Sequence, residues 1–202
     1  MGEMDPVAGP EDGEDLTELI RRLILGAVSH HTDPIDTARL AESVHEVADM
    51  LEEADAIPLA SRYGAPDPGP FDPVRLFAFD PVFGRRNPVA LPVIPRWEDP
   101  VAVAEATFTR VYEGPPDAVH GAVLAATFDQ VCNVANIGAG VAGFTVDLEI
   151  RYRALTRIEQ PVRFEARIVS LEDERVVTEA HATQHGAITA EAVGTFHRLA
   201  RR

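Results

Sequence analysis

The sequence predicts an α+β fold in which an antiparallel sheet packs around one central helix, and three features of the chain predict it. Apolar and polar residues alternate over residues 101–109, which is typical of a half-buried strand. Residues 120–136 then form a nearly uncharged segment of helical length. The alternation returns at residue 143 and continues, with turn residues between its runs, to residue 199.

The strands after the helix are predicted to be four in number and to form a meander. The most regular alternation covers residues 143–152 and places one set of side chains on one face, namely Phe144, Val146, Leu148, Ile150 and Tyr152. A second set is predicted on the opposite face, namely Thr145, Asp147, Glu149, Arg151 and Arg153. The other strands are predicted at residues 162–168, 175–185 and 187–199, with a hairpin turn at 172–174.

The N-terminal third of the chain carries most of the negative charge. Residues 1–60 contain 15 acidic residues and 3 arginines, whereas residues 61–202 contain 18 acidic residues and 15 arginines. An acidic tail, which we expect to be disordered, precedes two helical patterns, and Asp33-Pro34 predicts the start of the second helix. We expect this helical hairpin to pack on the main domain as a lid, and a partner-binding helix pair is the alternative.

Residues 61–100 contain nine prolines with apolar side chains between them. The prolines exclude a long helix and a central strand, and the apolar residues are too numerous for a free linker. We therefore expect an extended segment that packs on a domain formed by residues 101–202.

The composition excludes several classes of function. The chain is 46% hydrophobic and 25% charged, which is ordinary for a globular protein, and no apolar run approaches the roughly 20 residues that a membrane span needs. The absence of lysine excludes Schiff-base chemistry and a P-loop. A nucleic-acid partner is disfavoured, because the sequence contains no stripe of basic residues. The first residues do not have a signal-peptide pattern, and Cys132 is the single cysteine. Both features predict a cytoplasmic location.

Asp129 is the single charged residue between Gly121 and Val146. An apolar helix is expected to be buried, and burying a carboxylate without partners costs several kcal/mol. Two explanations stay open: a catalytic role, or a carboxylate that faces an interface and bonds to neighbouring hydroxyl or N–H groups. Cys132 lies on the same helix and is expected to be a small core residue rather than a nucleophile.

His120 and Gly121 stand at the start of the same helix. A helix N-terminus offers unsatisfied N–H groups and a partial positive charge, and glycine has no side chain to keep a ligand away from them. The combination suits a carbonyl oxygen that becomes an oxyanion. The alternative is a structural pair, in which the glycine serves only a turn.

The segments HGAVLAATFD (residues 120–129) and GFTVDLEIRY (residues 143–152) resemble the hotdog-fold acyl-CoA thioesterases of the PaaI-like branch of the thioesterase superfamily. That family begins its central helix with His-Gly-Gly and carries an acid two and a half turns later, which is the spacing from His120 to Asp129. It also has a threonine or serine at the head of the next strand, where Thr145 falls. The resemblance is good over residues 101–199.

The resemblance implies a hotdog fold and a homodimer, or a dimer of dimers, with active sites shared across the subunit interface. The thioester carbonyl would be bound by the N–H of Gly121 or Ala122, and His120 would orient the loop or the carbonyl. Asp129 and Thr145 would come from the other protomer, Asp129 as nucleophile or as base for water, and Thr145 bonded to Asp129 or to the water. The implied activity is the hydrolysis of acyl-CoA to a carboxylic acid and free coenzyme A, within lipid metabolism and without a metal or redox cofactor.

Ala122 stands where the family has its second glycine, so the backbone N–H is retained and a methyl group is added. Coenzyme A carries phosphates that only arginine can pair with in a chain without lysine, and Arg153 and Arg157 are the candidate partners. No spacing of Cys and His residues predicts a metal site.

Two other functions stay open. A non-catalytic hotdog protein would bind acyl-CoA or a protein partner without turnover, and Ala122 favours this alternative slightly. A hotdog hydratase or dehydratase would need a close Asp-His pair on a differently spaced motif, which the sequence does not contain.

Overall fold

One antiparallel sheet of six strands dominates the computed structural model, which describes residues 15–56 and 70–198. The helices are α1 (Leu16–Ser29), α2 (Pro34–Glu52), the single turn α3 (Pro73–Leu76) and α4 (Gly121–Gly138). The strands are β1 (Val93–Glu98), β2 (Val101–Thr107), β3 (Gly143–Tyr152), β4 (Pro161–Leu171), β5 (Arg175–Gln184) and β6 (Ala187–Arg198). A 3-10 turn, Arg110–Tyr112, lies between β2 and α4.

The strand order in the sheet is β1-β2-β4-β5-β6-β3, and every pair is antiparallel. Helix α4 packs across the sheet against β2, β4 and β5, which confirms the predicted sheet around one central helix. The predicted four-strand meander is wrong, because β4, β5 and β6 form a meander while β3 pairs with β6 at the sheet edge. Alternation of side chains assigns the faces of a strand but carries no information about its neighbours.

The sheet begins at β1, eight residues before the first predicted strand. Pro95 lies inside β1 and cannot donate a hydrogen bond to the ladder, but proline is tolerated in an edge strand. The strand pairs with β2 over its whole length, from Val93 opposite Ala106 to Glu98 opposite Val101. The prolines of this segment therefore exclude only a central position in the sheet.

A β-bulge changes which side chains of β3 face the helix. Between Thr145 and Asp147 the register advances by two residues on β3 and by one on β6, so Val146 is an extra residue. Beyond the bulge, Leu148 and Ile150 pack against the core, as predicted. Thr145 also faces α4, and the prediction that placed it on the opposite face is wrong because the bulge shifts the alternation by one residue.

The hydrophobic core lies between α4 and the sheet. Phe128 of α4 and Phe164 of β4 are fully buried and meet edge to face, with their ring centroids 5.5 Å apart. Helix α4 ends at Gly138, where the ring of Trp97 comes so close that an added Cβ would lie 2.5 Å from it. This packing contact therefore requires glycine at Gly138.

Helix α1 and the N-cap of α2 agree with the sequence patterns. The Asp33 side chain accepts two backbone N–H bonds, and Pro34 is the first helical residue. Helix α1 contacts the 3-10 turn, and the Arg21 guanidinium donates to the backbone oxygens of Gly84 at 3.2 Å and of Asn87 at 2.9 Å. These bonds hold α1 on the sheet domain.

The side chains of α2 remain at the surface. Its apolar stripe, which consists of Leu40, Val44, Val47 and Leu51, is between 45% and 52% exposed. The predicted acidic tail, residues 1–14, lies outside the described residues. Among residues 15–56 and 70–198, no helix combines the length and the apolar character that crossing a bilayer requires.

Candidate active site

Asp129 on α4 and Thr145 on β3 are hydrogen-bonded to each other. The Thr145 hydroxyl donates to Asp129 Oδ1 at 2.6 Å, a distance typical of a hydroxyl bonded to a carboxylate. Both side chains are half-buried. Within the part of the chain that the structure describes, no group donates to the second oxygen, Oδ2. The pair therefore presents one oriented carboxylate oxygen that is free to react.

Asp129 lies on the side of α4 that the sheet leaves uncovered. Ala122, Ala126 and Asn133 recur with it at helical spacing, and all four are exposed or half-buried. The expectation that α4 is buried on nearly all sides is therefore corrected, because this face is open in a single chain. We call this surface the open face of α4.

Cys132 is fully buried, as predicted for a core residue. Burial raises the pKa of its thiol far above the ordinary value, and the negative charge of Asp129 raises that pKa further. The thiol is therefore protonated at neutral pH, which excludes it as a nucleophile in this state.

His120 is the N-cap of α4 and uses its side chain as the cap. Its Nδ1 accepts a hydrogen bond from the backbone N–H of Ala122 at 3.0 Å. The backbone N–H of His120 donates to the carbonyl oxygen of Tyr112 at 2.8 Å. A ring nitrogen that accepts a hydrogen bond carries no proton, so the proton of a neutral imidazole lies on Nε2. The backbone N–H of Gly121 donates to no group among the described residues. Gly121, and not Ala122, therefore keeps an available N–H at the helix start.

Tyr152 contacts the same helix start and was missed as a functional residue by the sequence analysis. Its hydroxyl donates to the carbonyl oxygen of Gly121 at 2.9 Å. A Cβ added at Gly121 would lie 3.2 Å from this hydroxyl oxygen, so the glycine allows the close approach. The predicted face of Tyr152, shared with Leu148 and Ile150, was the signal that pointed it toward the helix.

The predicted catalytic residues form two separate groups in one chain. His120 and Gly121 lie at the start of α4, and Asp129 with Thr145 lies nine residues further along the helix. A rise of 1.5 Å per residue separates the groups by about 13 Å, well beyond hydrogen-bond reach of one reacting carbonyl. A single chain therefore does not bring all four residues to one substrate atom.

The two arginines predicted to bind phosphate have different surroundings. Arg153 is paired with Glu191 and lies in a groove of about 460 Å³ that contains neither Asp129 nor His120. Arg157 lies between β3 and β4, where its backbone forms a bridge with Ala118 in the loop before α4 and its side chain is exposed. Arg157 is therefore the better placed of the two for a ligand at the helix start.

Metal-binding side chains are not gathered anywhere in residues 15–56 and 70–198, where no group of three or more His, Cys, Asp or Glu residues is arranged to hold an ion. His181 Nε2 lies 3.2 Å from Glu165 Oε2 across the paired strands β4 and β5.

Part of the chain is similar to known thioesterases. The family model of the thioesterase superfamily matches residues 117–190, which run from the loop before α4 into β6. The human acyl-coenzyme A thioesterase THEM5 is 30% identical over 89 residues, which make up 43% of this chain. The aligned stretch spans 36% of the length of that human protein.

Two solved structures extend the comparison. A thioesterase superfamily protein, RHA08564, superposes with a TM-score of 0.76 at 27% identity, over 89% of this chain and 92% of its own. The sheet and α4 make up much less than 89% of the chain, so the superposition also includes residues before β1. A hypothetical thioesterase from Streptococcus pneumoniae TIGR4, solved with coenzyme A, superposes with a TM-score of 0.51 at 18% identity, over 55% of this chain and 90% of its own.

The family match covers α4, the strands β3, β4 and β5 and the start of β6, which lie within the residues that carry the sequence resemblance. Residues 117–190 match the thioesterase superfamily, and the chain has the hotdog fold, which confirms the resemblance identified in the sequence.

Proposed function

We propose that this protein hydrolyses acyl-CoA thioesters to a carboxylic acid and free coenzyme A. The observation that carries the proposal is the 2.6 Å hydrogen bond from Thr145 to Asp129 Oδ1, which leaves Oδ2 available on the open face of α4. A carboxylate held in this way can activate water or attack a carbonyl carbon. The human acyl-coenzyme A thioesterase and the coenzyme A complex of the Streptococcus protein support a coenzyme A thioester as the substrate class.

We propose that two copies of the chain complete each active site. The helix start and Asp129 are about 13 Å apart in one chain, and antiparallel pairing of two open faces would bring the helix start of one copy to the Asp129 of the other. The alanines on this face support a close approach, since the distance between packed helices depends on the side chains at the contact. The proposed assembly is a homodimer or a dimer of dimers, in a reducing cytoplasmic compartment and within lipid metabolism.

The proposed chemistry assigns the carbonyl oxygen to the helix start. The free N–H of Gly121 and the positive end of the helix dipole would stabilise the negative charge that forms on this oxygen. The N–H of Ala122 is already donated to His120 Nδ1 and is not available to the carbonyl oxygen. Arg157 would pair with a phosphate of coenzyme A outside the helix start.

Asp129 has two roles that are chemically distinct. As a general base, it accepts a proton from water while the water oxygen attacks the carbonyl carbon; the C–S bond then breaks and the proton passes to the departing thiolate. As a nucleophile, it attacks the carbonyl carbon itself, the thiolate leaves, and water hydrolyses the resulting anhydride. A single turnover in water labelled with ¹⁸O that leaves label in the Asp129 carboxylate would establish the nucleophilic route, because a general base keeps its own oxygens.

The experiment that tests the function is release of free thiol from a panel of acyl-CoA substrates. We expect Asp129→Asn to lower the rate by about 100-fold or more, which is the contribution of a positioned base, while the fold survives because Asn still accepts the Thr145 hydroxyl. Asp147→Asn is the matched control, since Asp147 is an exposed carboxylate of the same strand as Thr145. A folded Asp129→Asn protein with normal activity would remove the mechanism.

A non-catalytic acyl-CoA-binding protein is the second candidate function. The observation that favours it is Ala122, which adds an exposed methyl group at the helix start and whose N–H is occupied by His120. Binding of acyl-CoA without thiol release by the wild-type protein would support this alternative.

A further inference from the structure

We propose that Tyr152 is a positioning residue that acts through the Gly121–Ala122 peptide to fix His120 as an Nε2–H donor for the thioester carbonyl oxygen. The inference rests on the proposed thioesterase function and adds a second donor to its oxyanion site. It concerns a side chain that touches neither the acyl group nor the attacking group.

Three hydrogen-bonding groups form a continuous chain at the helix start. The Tyr152 hydroxyl donates to the carbonyl oxygen of Gly121 at 2.9 Å. The same peptide unit carries the N–H of Ala122, which donates to His120 Nδ1 at 3.0 Å. One planar amide group therefore connects the tyrosine hydroxyl to the imidazole ring.

The direction of these bonds decides where the imidazole proton lies. A carbonyl that accepts a hydrogen bond polarises its own amide, so the N–H on the other side becomes a stronger donor. A stronger donor at Ala122 favours an unprotonated Nδ1, and the ring proton is then held on Nε2. His120 is exposed, so Nε2–H points to no buried partner and is available to a ligand beside the free N–H of Gly121.

The Tyr152 hydroxyl does not need this hydrogen bond as a substitute for water, because Tyr152 is 53% exposed. Water could satisfy its hydroxyl at such a position, yet the hydroxyl bonds to a backbone group 31 residues earlier in the chain. The bond therefore constrains the helix start where the carbonyl oxygen would bind, while contributing little buried surface.

The test compares Tyr152→Phe with the wild-type protein. The variant keeps the ring and its packing and removes only the hydroxyl. We expect kcat for thiol release to fall about tenfold, less than the loss of a whole oxyanion donor, with KM changed less than about twofold. We also expect the ¹⁵N NMR shifts of His120 to move from a pure Nε2–H tautomer toward a mixture, with the resonances assigned by their absence in His120→Asn.

Tyr112→Phe is the matched control, because the Tyr112 hydroxyl also donates to a backbone carbonyl, that of Ala90 at 3.3 Å. We expect it to leave the tautomer and kcat unchanged. In the His120→Asn background, Tyr152→Phe should have no further effect on kcat if it acts through His120.

An unchanged His120 tautomer in Tyr152→Phe would overturn the inference, and so would a kcat loss of the same size in the His120→Asn background. A wild-type protein that releases no thiol would instead overturn the proposed function, and the tautomer measurement would still decide whether Tyr152 positions His120.

Discussion

Thr145 bonds to Asp129 within one chain, so the carboxylate is oriented before any partner or substrate arrives. The bond joins the beginning of β3 to the middle of α4, two elements whose relative position is fixed by the core. Orientation of this kind is a large part of catalysis by a positioned group.

Thr145→Val should lower kcat/KM about tenfold to hundredfold, because it removes the hydroxyl while keeping the branched shape of the side chain. Thr145→Ser should retain most of the activity, since serine supplies the same donor. The measurement is thiol release under identical conditions, with circular dichroism to verify the fold. Normal activity of Thr145→Val would show that the bond to Asp129 has no catalytic role.

Gly138→Ala should destabilise the fold by about 1–3 kcal/mol, because the added Cβ would lie 2.5 Å from the Trp97 ring and the packed core must give way. Gly26→Ala in α1 is the matched control, since a Cβ there would meet no atom within 4 Å. The control should gain about 0.5–1 kcal/mol from helix propensity. The free energy of unfolding in urea measures both, and equal values would contradict the tight contact.

Thr178→Val should cost about 1–3 kcal/mol, because it removes the hydrogen bond of a buried amide. The Thr178 hydroxyl donates to Asn136 Oδ1 at 2.6 Å, and Asn136 Nδ2 has no partner within the described residues. Without the hydroxyl, both polar atoms of a side chain that is 1% exposed would be unpaired. Thr178→Ser keeps the hydroxyl and should lose only the contribution of one buried methyl group, about 1 kcal/mol, in thermal or urea unfolding. A neutral Thr178→Val would argue against the bond.

Glu105 is predicted to make a small contribution to stability that depends on pH. Its pKa is lowered by the hydrogen bond from Arg96 first, then by the charges of Arg96 and Arg163. A carboxyl whose folded pKa is depressed stabilises the fold above its ordinary pKa, and this contribution disappears as the pH falls through the depressed value. Glu105→Gln should therefore be slightly less stable than the wild type at neutral pH, and the difference should shrink as the pH falls below the ordinary pKa of the carboxyl and through its depressed value.

The control for Glu105 is ionic strength. Exposed ion pairs are screened by salt, so 1 M sodium chloride at neutral pH should also reduce the difference in unfolding free energy between the two proteins. A difference that grows as the pH falls would contradict the ion-pair origin.

The central helix could be predicted from the sequence because its signal is local. The apolar segment predicts a helix over residues 120–136 that Gly138 ends, and the observed helix spans Gly121–Gly138. The strand β1 could not be predicted, because Pro95 argues against a strand unless that strand is known to lie at an edge. Edge position is a property of the whole sheet.

The candidate site was less accessible to sequence reasoning than the fold. Asp129 was identified as a lone charge on an apolar helix, but its contact with Thr145 was expected only from the family resemblance. The capture of the Ala122 N–H by His120 could not be predicted, since a histidine before a helix does not reveal its rotamer. Tyr152 was assigned the correct face without a function, because its partner lies 31 residues away in the chain.

The extra residue at Val146 has a consequence for how this strand can vary. Thr145 and Tyr152 are seven positions apart, and in a regular strand an odd separation would turn their hydroxyls to opposite sides. The inserted residue makes the separation effectively even, so a single strand secures both the reactive carboxylate and the helix start. Loss or gain of one residue between Thr145 and Tyr152 would therefore turn one of the two hydroxyls away from α4 and disconnect one end of the site from the other.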